Sequence, residues 1–328
     1  MNRFYSHARN GYAHFIAGYA ILGAVLLALA AAILAGCLDS GRVETVTPPD
    51  ASEPAAPVRS TFIPVSYAPG IAVEENDKAV IDFSNASDGY LMVKFHQNSS
   101  NSFIAVINGP NGGEYVYDVA PEEYAVFTFS EGDGQYVITL CEQTDDMKYK
   151  VILRAHVDVI LADPFAPFLR PNLYVNYSGG TLAVKKAAEL AAGNTDLVSV
   201  IATVYDYVTA NIIYDLDIVG TVESGYLPDL DAIMERGKGI CFDYAALITA
   251  MLRSLEIPTK MVFGYLDDYY HAWISVFSED EGWIDGIIFF DGHSWMLMDP
   301  TFTSGRRQSV GASAFAGDAA NYTATLYY

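Results

Sequence analysis

The sequence predicts an α+β chain, with an N-terminal β-sandwich followed by a mixed α+β domain. Three observations predict it. Short alternating apolar runs, split by Gly, Asn and Asp turns, occupy Phe62 to Val157. Two segments of helical period follow a proline-punctuated connector, over Leu182 to Ala192 and Leu197 to Ile212. A third helical run from Phe242 is succeeded by strand-like runs rich in aromatic and β-branched residues. With 328 residues, 52% of them hydrophobic, the chain can bury a large core, and its length fits two domains.

Residues 1–36 stand apart. Arg3 and Arg9 give a positive start with no acidic residue, and Phe15 to Gly36 is a continuous apolar run ending in Leu34-Ala35-Gly36-Cys37. Charged, apolar and small-residue regions in that order make a secretory leader. The closing tetrapeptide resembles the bacterial lipoprotein box, whose cysteine, here Cys37, is lipidated and becomes the new N-terminus. The competing reading is an uncleaved signal anchor, since the twenty-two apolar residues are long enough to span a bilayer. Either reading puts the bulk of the chain on the extracytoplasmic face of a bacterial cell membrane, held by lipid at Cys37 or by an N-terminal helix. Residues 37–61 are rich in proline, alanine and acid (Val46-Thr47-Pro48-Pro49-Asp50, Glu53-Pro54-Ala55-Ala56-Pro57) and read as a tether that cannot bury enough apolar surface to order itself.

Loss of the leader removes only Arg3 and Arg9 among the charged residues, so the net charge of −22 becomes −24. Such acidity disfavours nucleic acid or anionic lipid as a partner. The chain has three cysteines. Cys141 lies in a strand-like Tyr-Val-Ile-Thr-Leu-Cys run and reads as an inert buried thiol. A Cys141–Cys241 disulfide is the alternative, and it would silence the second thiol; two remaining cysteines make a poor disulfide framework. No Cys or His cluster has metal-ligand spacing, so neither metal nor cofactor is expected.

The sandwich, residues 62–157, has its strands over Ala79 to Phe83, Tyr90 to Phe95, Phe103 to Ile107, Tyr124 to Phe129, Tyr136 to Leu140 and Tyr149 to Leu153. His96 and His156 are isolated and read as structural. This half gathers no catalytic residue types, and it reads as a passive stalk, with spacing or binding as its functional alternative. Residues 158–180 form the connector (Asp163-Pro164-Phe165-Ala166-Pro167), and residues 181–328 the α+β domain. Gly193-Asn194-Thr195-Asp196 stops the first helix and caps the second.

The chemistry gathers in that second domain. Cys241 sits in Gly239-Ile240-Cys241-Phe242-Asp243-Tyr244-Ala245, and Phe242, Ala245, Ala246, Thr249 and Leu252 recur at helical spacing until Glu256-Ile257-Pro258. The thiol therefore belongs at the first turn of a buried helix, where open amides and the helix dipole favour a thiolate. Gly237 and Gly239 would leave amides open to an oxyanion. Asp243 opposes the thiolate as a like charge. His271 follows after thirty residues, in His-Ala-Trp-Ile-Ser-Val-Phe, and Asp299 after twenty-eight more, in Trp-Met-Leu-Met-Asp-Pro-Thr-Phe. Asp291-Gly292 signals a two-residue hairpin between Ile287–Phe290 and Ser294–Met298. Nucleophile, base and orienter are the parts of acyl-transfer catalysis. Cys241 and Asp299 have plain alternatives: a buried structural cysteine and an Asp-Pro turn. His293 is the rival histidine, beside the tight turn.

At these residues the chain resembles the transglutaminase-like superfamily, whose core is related to papain-type cysteine peptidases. The resemblance runs from about Tyr205 to Phe302 and is carried by Gly-Ile-Cys-Phe-Asp-Tyr-Ala, His-Ala-Trp and Asp-Pro-Thr-Phe together. It implies a transglutaminase-like catalytic domain with Cys241, His271 and Asp299 as the triad, and Tyr226 as a side chain assisting the oxyanion. The alternative for Tyr226 is an ordinary packed tyrosine. No calcium loop of the kind animal members use is legible. The implied activity is cleavage or exchange of amide bonds in a peptide or protein substrate through a thioester, with hydrolysis favoured over cross-linking. The rival is a non-enzymatic surface binding module that keeps the fold. The oligomeric state is not legible.

Overall fold

Period-two alternation builds the first half of the protein. In the computed structural model, residues 60–328 are described except 97–100, 146–147, 195, 220, 267–268, 286–288, 291–294 and 297–321. The leader, Cys37, most of the tether, His293 and Asp299 thus lie outside the described residues. Eight strands come first: β1 (Val73–Glu75), β2 (Ala79–Asp82), β3 (Tyr90–Phe95), β4 (Phe103–Asn108), β5 (Glu114–Asp118), β6 (Ala125–Thr128), β7 (Gly134–Asp145) and β8 (Lys148–Val159). They pair antiparallel into two four-stranded sheets, ordered β1-β2-β3-β6 and β5-β4-β7-β8. Strand β8 shows the principle, turning Ala155, Val157 and Val159 inward and Arg154, His156 and Asp158 to solvent. Phe95 and Phe103 stack across the two sheets at 4.6 Å. His96 and His156 are exposed, not packed as structural histidines.

The sandwich is not a detached stalk. Its buried residues and those of the second half form one continuous cluster. The connector lies in that seam: Phe168, Val175 and Tyr177 are buried, and the Asn172 carboxamide oxygen accepts the amides of Tyr174 and Val175 at 3.1 and 2.9 Å. An aromatic chain crosses it, with Tyr174 at 5.0 Å from Tyr117 of β5, 4.8 Å from Tyr328 and 5.2 Å from Phe242. Backbone bonds add to it, from the Phe62 amide to the Ser254 carbonyl and from the Leu173 amide to the Val126 carbonyl, each at 3.0 Å.

The second half holds helices α1 (Leu182–Ala191), α2 (Leu197–Asn211), α3 (Leu216–Val219), α4 (Leu230–Arg236) and α5 (Cys241–Ser254). Asp196 caps α2 by accepting the Ser199 amide at 2.8 Å. All fourteen residues of α5 are buried, Asp243 and Arg253 among them, so the helix is covered on every face. It packs between α1 and α2 on one side and a four-stranded sheet on the other. That sheet has the order β13-β12-β11-β16, from β11 (Thr259–Leu266), β12 (Tyr269–Ser278), β13 (Gly282–Asp285) and β16 (Tyr322–Tyr327). Two short pairs complete the chain, β9 (Ile213–Tyr214) parallel to β10 (Lys238–Gly239), and β14 (Phe289–Phe290) antiparallel to β15 (Trp295–Met296). Phe290 pairs with Trp295, so the connection expected as a two-residue turn at Asp291-Gly292 spans four residues.

A buried guanidinium locks this unit. Arg253, near the end of α5, donates to the carbonyls of Thr259 (2.8 Å), Arg170 (2.9 Å) and Tyr328 (2.6 Å). One side chain thereby ties the helix to β11, the connector and the residue after β16.

Candidate functional site

Cys241 is the first residue of α5, after Ile240 in extended conformation. The start of α5 is fixed by its neighbours. Gly237, in the left-handed conformation (φ 64°), ends α4 by donating its amide to the Ile233 carbonyl at 3.0 Å. The expectation that this amide stands open to an oxyanion is therefore corrected. Gly239 pairs in β10 and lies against Asp243, whose Cβ would be 2.7 Å from a Cβ added there. Both glycines serve the turn into α5. The helix start itself still offers first-turn amides beside the sulfur.

Asp243 is the third residue of α5, and one of its oxygens accepts the Ile240 amide at 3.0 Å. An acid that reaches back to the residue before its helix is half of a capping box. Tyr226, the residue expected to assist an oxyanion, donates its hydroxyl to the other oxygen of Asp243 at 2.7 Å. Its ring lies 6.2 Å from that of Phe242. Burial, with the negative charge of Asp243 next, pushes the Tyr226 phenol up to about 12, so it remains a donor at neutral pH.

His271 is the third residue of β12 and pairs with Gly264 of β11. Phe242, next to the thiol, packs at 5.0 Å on Phe263, next to Gly264. The start of α5 is thus joined through one pair of rings to β11, the strand on which His271 pairs. Alternation puts Ala272, Ile274 and Val276 in the core cluster that includes α5. His271 shares the other set with Trp273, the two rings 6.2 Å apart and Tyr322 of β16 packed on both. Gly264 lies beneath this group, since a Cβ there would be 2.6 Å from Trp273 Cη2. Cys241 is 0% exposed and His271 2%. Cys141 and Cys241 both carry thiols, so the alternative disulfide does not form.

Residues 184–286 match the family model of the transglutaminase-like superfamily. The chain carries a transglutaminase-like domain. The match includes Cys241 and His271 and stops short of Asp299. Among solved structures, one from Cytophaga hutchinsonii, provisionally named a cysteine protease, is 17% identical with a TM-score of 0.36, covering 79% of this chain and 74% of its own. Another, from Parabacteroides distasonis and provisionally named a protease, is 11% identical with a TM-score of 0.29, covering 62% of each chain. Red sea bream transglutaminase is 13% identical with a TM-score of 0.23, covering 65% of this chain and 48% of that one. No curated protein matches the chain.

Sequence reasoning missed Arg236. Its Nη2 lies 3.3 Å from the Asp243 carboxylate and 3.4 Å from the Tyr226 hydroxyl. Nothing in the local pattern marks it, because its reach depends on the turn that Gly237 makes after α4. Among the described residues, no group of His, Cys, Asp and Glu could hold a metal ion, and no helix is long and apolar enough to cross a membrane.

Proposed function

We propose that the transglutaminase-like domain is a cysteine enzyme acting on amide bonds of a peptide or protein, displayed outside the cell through lipid on Cys37 or a signal anchor. The observation that carries this reading is Cys241 as the first residue of a buried helix within a segment matching that superfamily. In the reaction, His271 takes the thiol proton and Sγ bonds to the substrate carbonyl carbon, making an oxyanion that first-turn amides of α5 would hold. Collapse breaks the C–N bond, the amine leaves with the proton from His271, and a thioester remains. Water, deprotonated by His271, then releases the acid and restores the thiol. A lysine-like amine in place of water would give a cross-link, and hydrolysis is the outcome we favour. Asp299 would orient the imidazole.

The enclosure of Cys241 is the observation that favours the rival, a binding module that keeps the fold without turnover. Alkylation separates the two. Exposure alone makes Cys141 (4%) the faster thiol, so faster reaction of iodoacetamide at Cys241 (0%) reports chemistry and not access. Purified residues 38–328 should show that excess at Cys241, and His271→Ala should remove it. Equal rates at the two thiols, or indifference to His271→Ala, defeat the enzyme reading. A glutamine peptide offered with a fluorescent amine then tests outcome, and Cys241-dependent incorporation overturns the preference for hydrolysis.

A further inference from the structure

The triad leaves Asp243 unused, yet its carboxylate is enclosed two residues from the nucleophile. Uncompensated, a buried carboxylate there is costly in itself and opposes a thiolate by charge. The protein compensates it on every side. Oδ1 accepts the Tyr226 hydroxyl at 2.7 Å, and Oδ2 accepts the Ile240 amide at 3.0 Å and Arg236 Nη2 at 3.3 Å. Arg236 forms an ion pair with Asp243 and is itself pinned, since its Nε donates to the Lys238 carbonyl at 2.7 Å. The guanidinium therefore bridges the backbone of β10 and the base of α5, the two elements between which Cys241 emerges.

We propose that Arg236 is a positioning residue for the nucleophile: by pairing with Asp243 it cancels the carboxylate charge beside Cys241 and fixes the first turn of α5. The inference rests on the enzyme reading above and deepens it. Burial pushes the Asp243 carboxyl above its usual range, while the Ile240 amide, the Tyr226 hydroxyl and Arg236 hold it down and Asp215 raises it again. The cation is thus one of three groups that offset the burial of this acid, and the only one of them that carries a charge. Arg236 is half exposed, so it can be exchanged without opening the core.

The test reads iodoacetamide alkylation of Cys241 at pH 7 by mass spectrometry, with Cys141 as internal reference and thermal melting to confirm folding. Arg236→Met should slow Cys241 about tenfold, the effect of one uncompensated nearby charge at the effective dielectric of a protein site. Arg236→Lys, which keeps the charge, should retain most of the rate. The double variant Arg236→Met/Asp243→Asn should recover to within about threefold of the unaltered protein, because the acid needing compensation is gone. Across a pH series, loss of a purely structural Arg236 would change melting but leave unmoved the pH at which Cys241 alkylation rises, whereas loss of charge compensation shifts that pH upward. Should Arg236→Met not fold, Asp243→Asn alone carries the test, with a Cys241 rate at or above that of the unaltered protein expected and a slower one overturning the proposal. A normal rate in Arg236→Met, or a double variant as slow as the single, overturns this proposal and leaves the enzyme reading standing. No excess at Cys241 in the unaltered protein overturns both.

Discussion

The ring of Tyr174, in the connector, meets that of Phe242 edge-on with 5.2 Å between centroids, so the residue beside Cys241 packs on the joint between the two halves. Tyr174 also touches Tyr117 and Tyr328. Tyr174→Ala should cost about 3–5 kcal/mol, the usual loss for truncating a packed aromatic. Urea unfolding followed separately by a sandwich probe and a helix probe should show both transitions shifting together. A shift confined to one half would contradict the shared core.

Arg253 fills three carbonyl acceptors while fully enclosed. Arg253→Met keeps the bulk but strips one donor from each of three buried oxygens, of which Tyr328 keeps the Met261 amide at 2.9 Å. A loss of about 3–5 kcal/mol in urea unfolding is expected, the range for stripping one member from a buried charged network.

Gly264→Ala places a methyl against Trp273 and the Thr323 backbone, between β11 and β16. Backbone cannot yield as a flexible side chain does, so a loss of about 2–3 kcal/mol is expected in thermal or urea melts. The same variant should change Trp273 fluorescence. Gly179→Ala, in open space, is the matched control.

Tyr226→Phe removes one hydrogen bond to a buried carboxylate and should cost about 1–2 kcal/mol at pH 7. The phenol is raised from 10.0 to about 12 in the folded protein. A raised folded value means stability that is complete below pH 10 and lost as pH climbs toward 12. Melting across that window should fall more steeply for the unaltered protein than for Tyr226→Phe, and identical slopes would refute the assignment.

Much of this arrangement was legible because it is local. Alternation located six strands, helical spacing located α1, α2 and α5, and the pattern after Ile240 put Cys241 at a helix start. Some elements escaped: β1, with three residues, and β9 and β10, with two each, carry too little pattern to register, and β5, beside the glycine-rich turn, was passed over. Helix α4 also escaped, its seven residues holding little periodicity. Asp243 was misweighed. Read along the chain it is a like charge near a thiol, whereas in space it is a helix-capping acid held by Tyr226 and Arg236. The joint between the halves was illegible for the same reason, since Tyr117, Tyr174, Phe242 and Tyr328 meet only through tertiary packing. Asp299, expected as the third member of the triad, lies outside the described residues.

Strand β16 returns to β11 from more than fifty residues further along the chain, bringing Tyr322 to the histidine and Tyr328 to the arginine clasp. While the polypeptide is being made, β11 must wait with one raw edge, and such distant pairings form slowly. The surroundings of His271 and Arg253 are therefore finished only once residues 322–328 have been delivered, and a product cut short of them would be born without either contact.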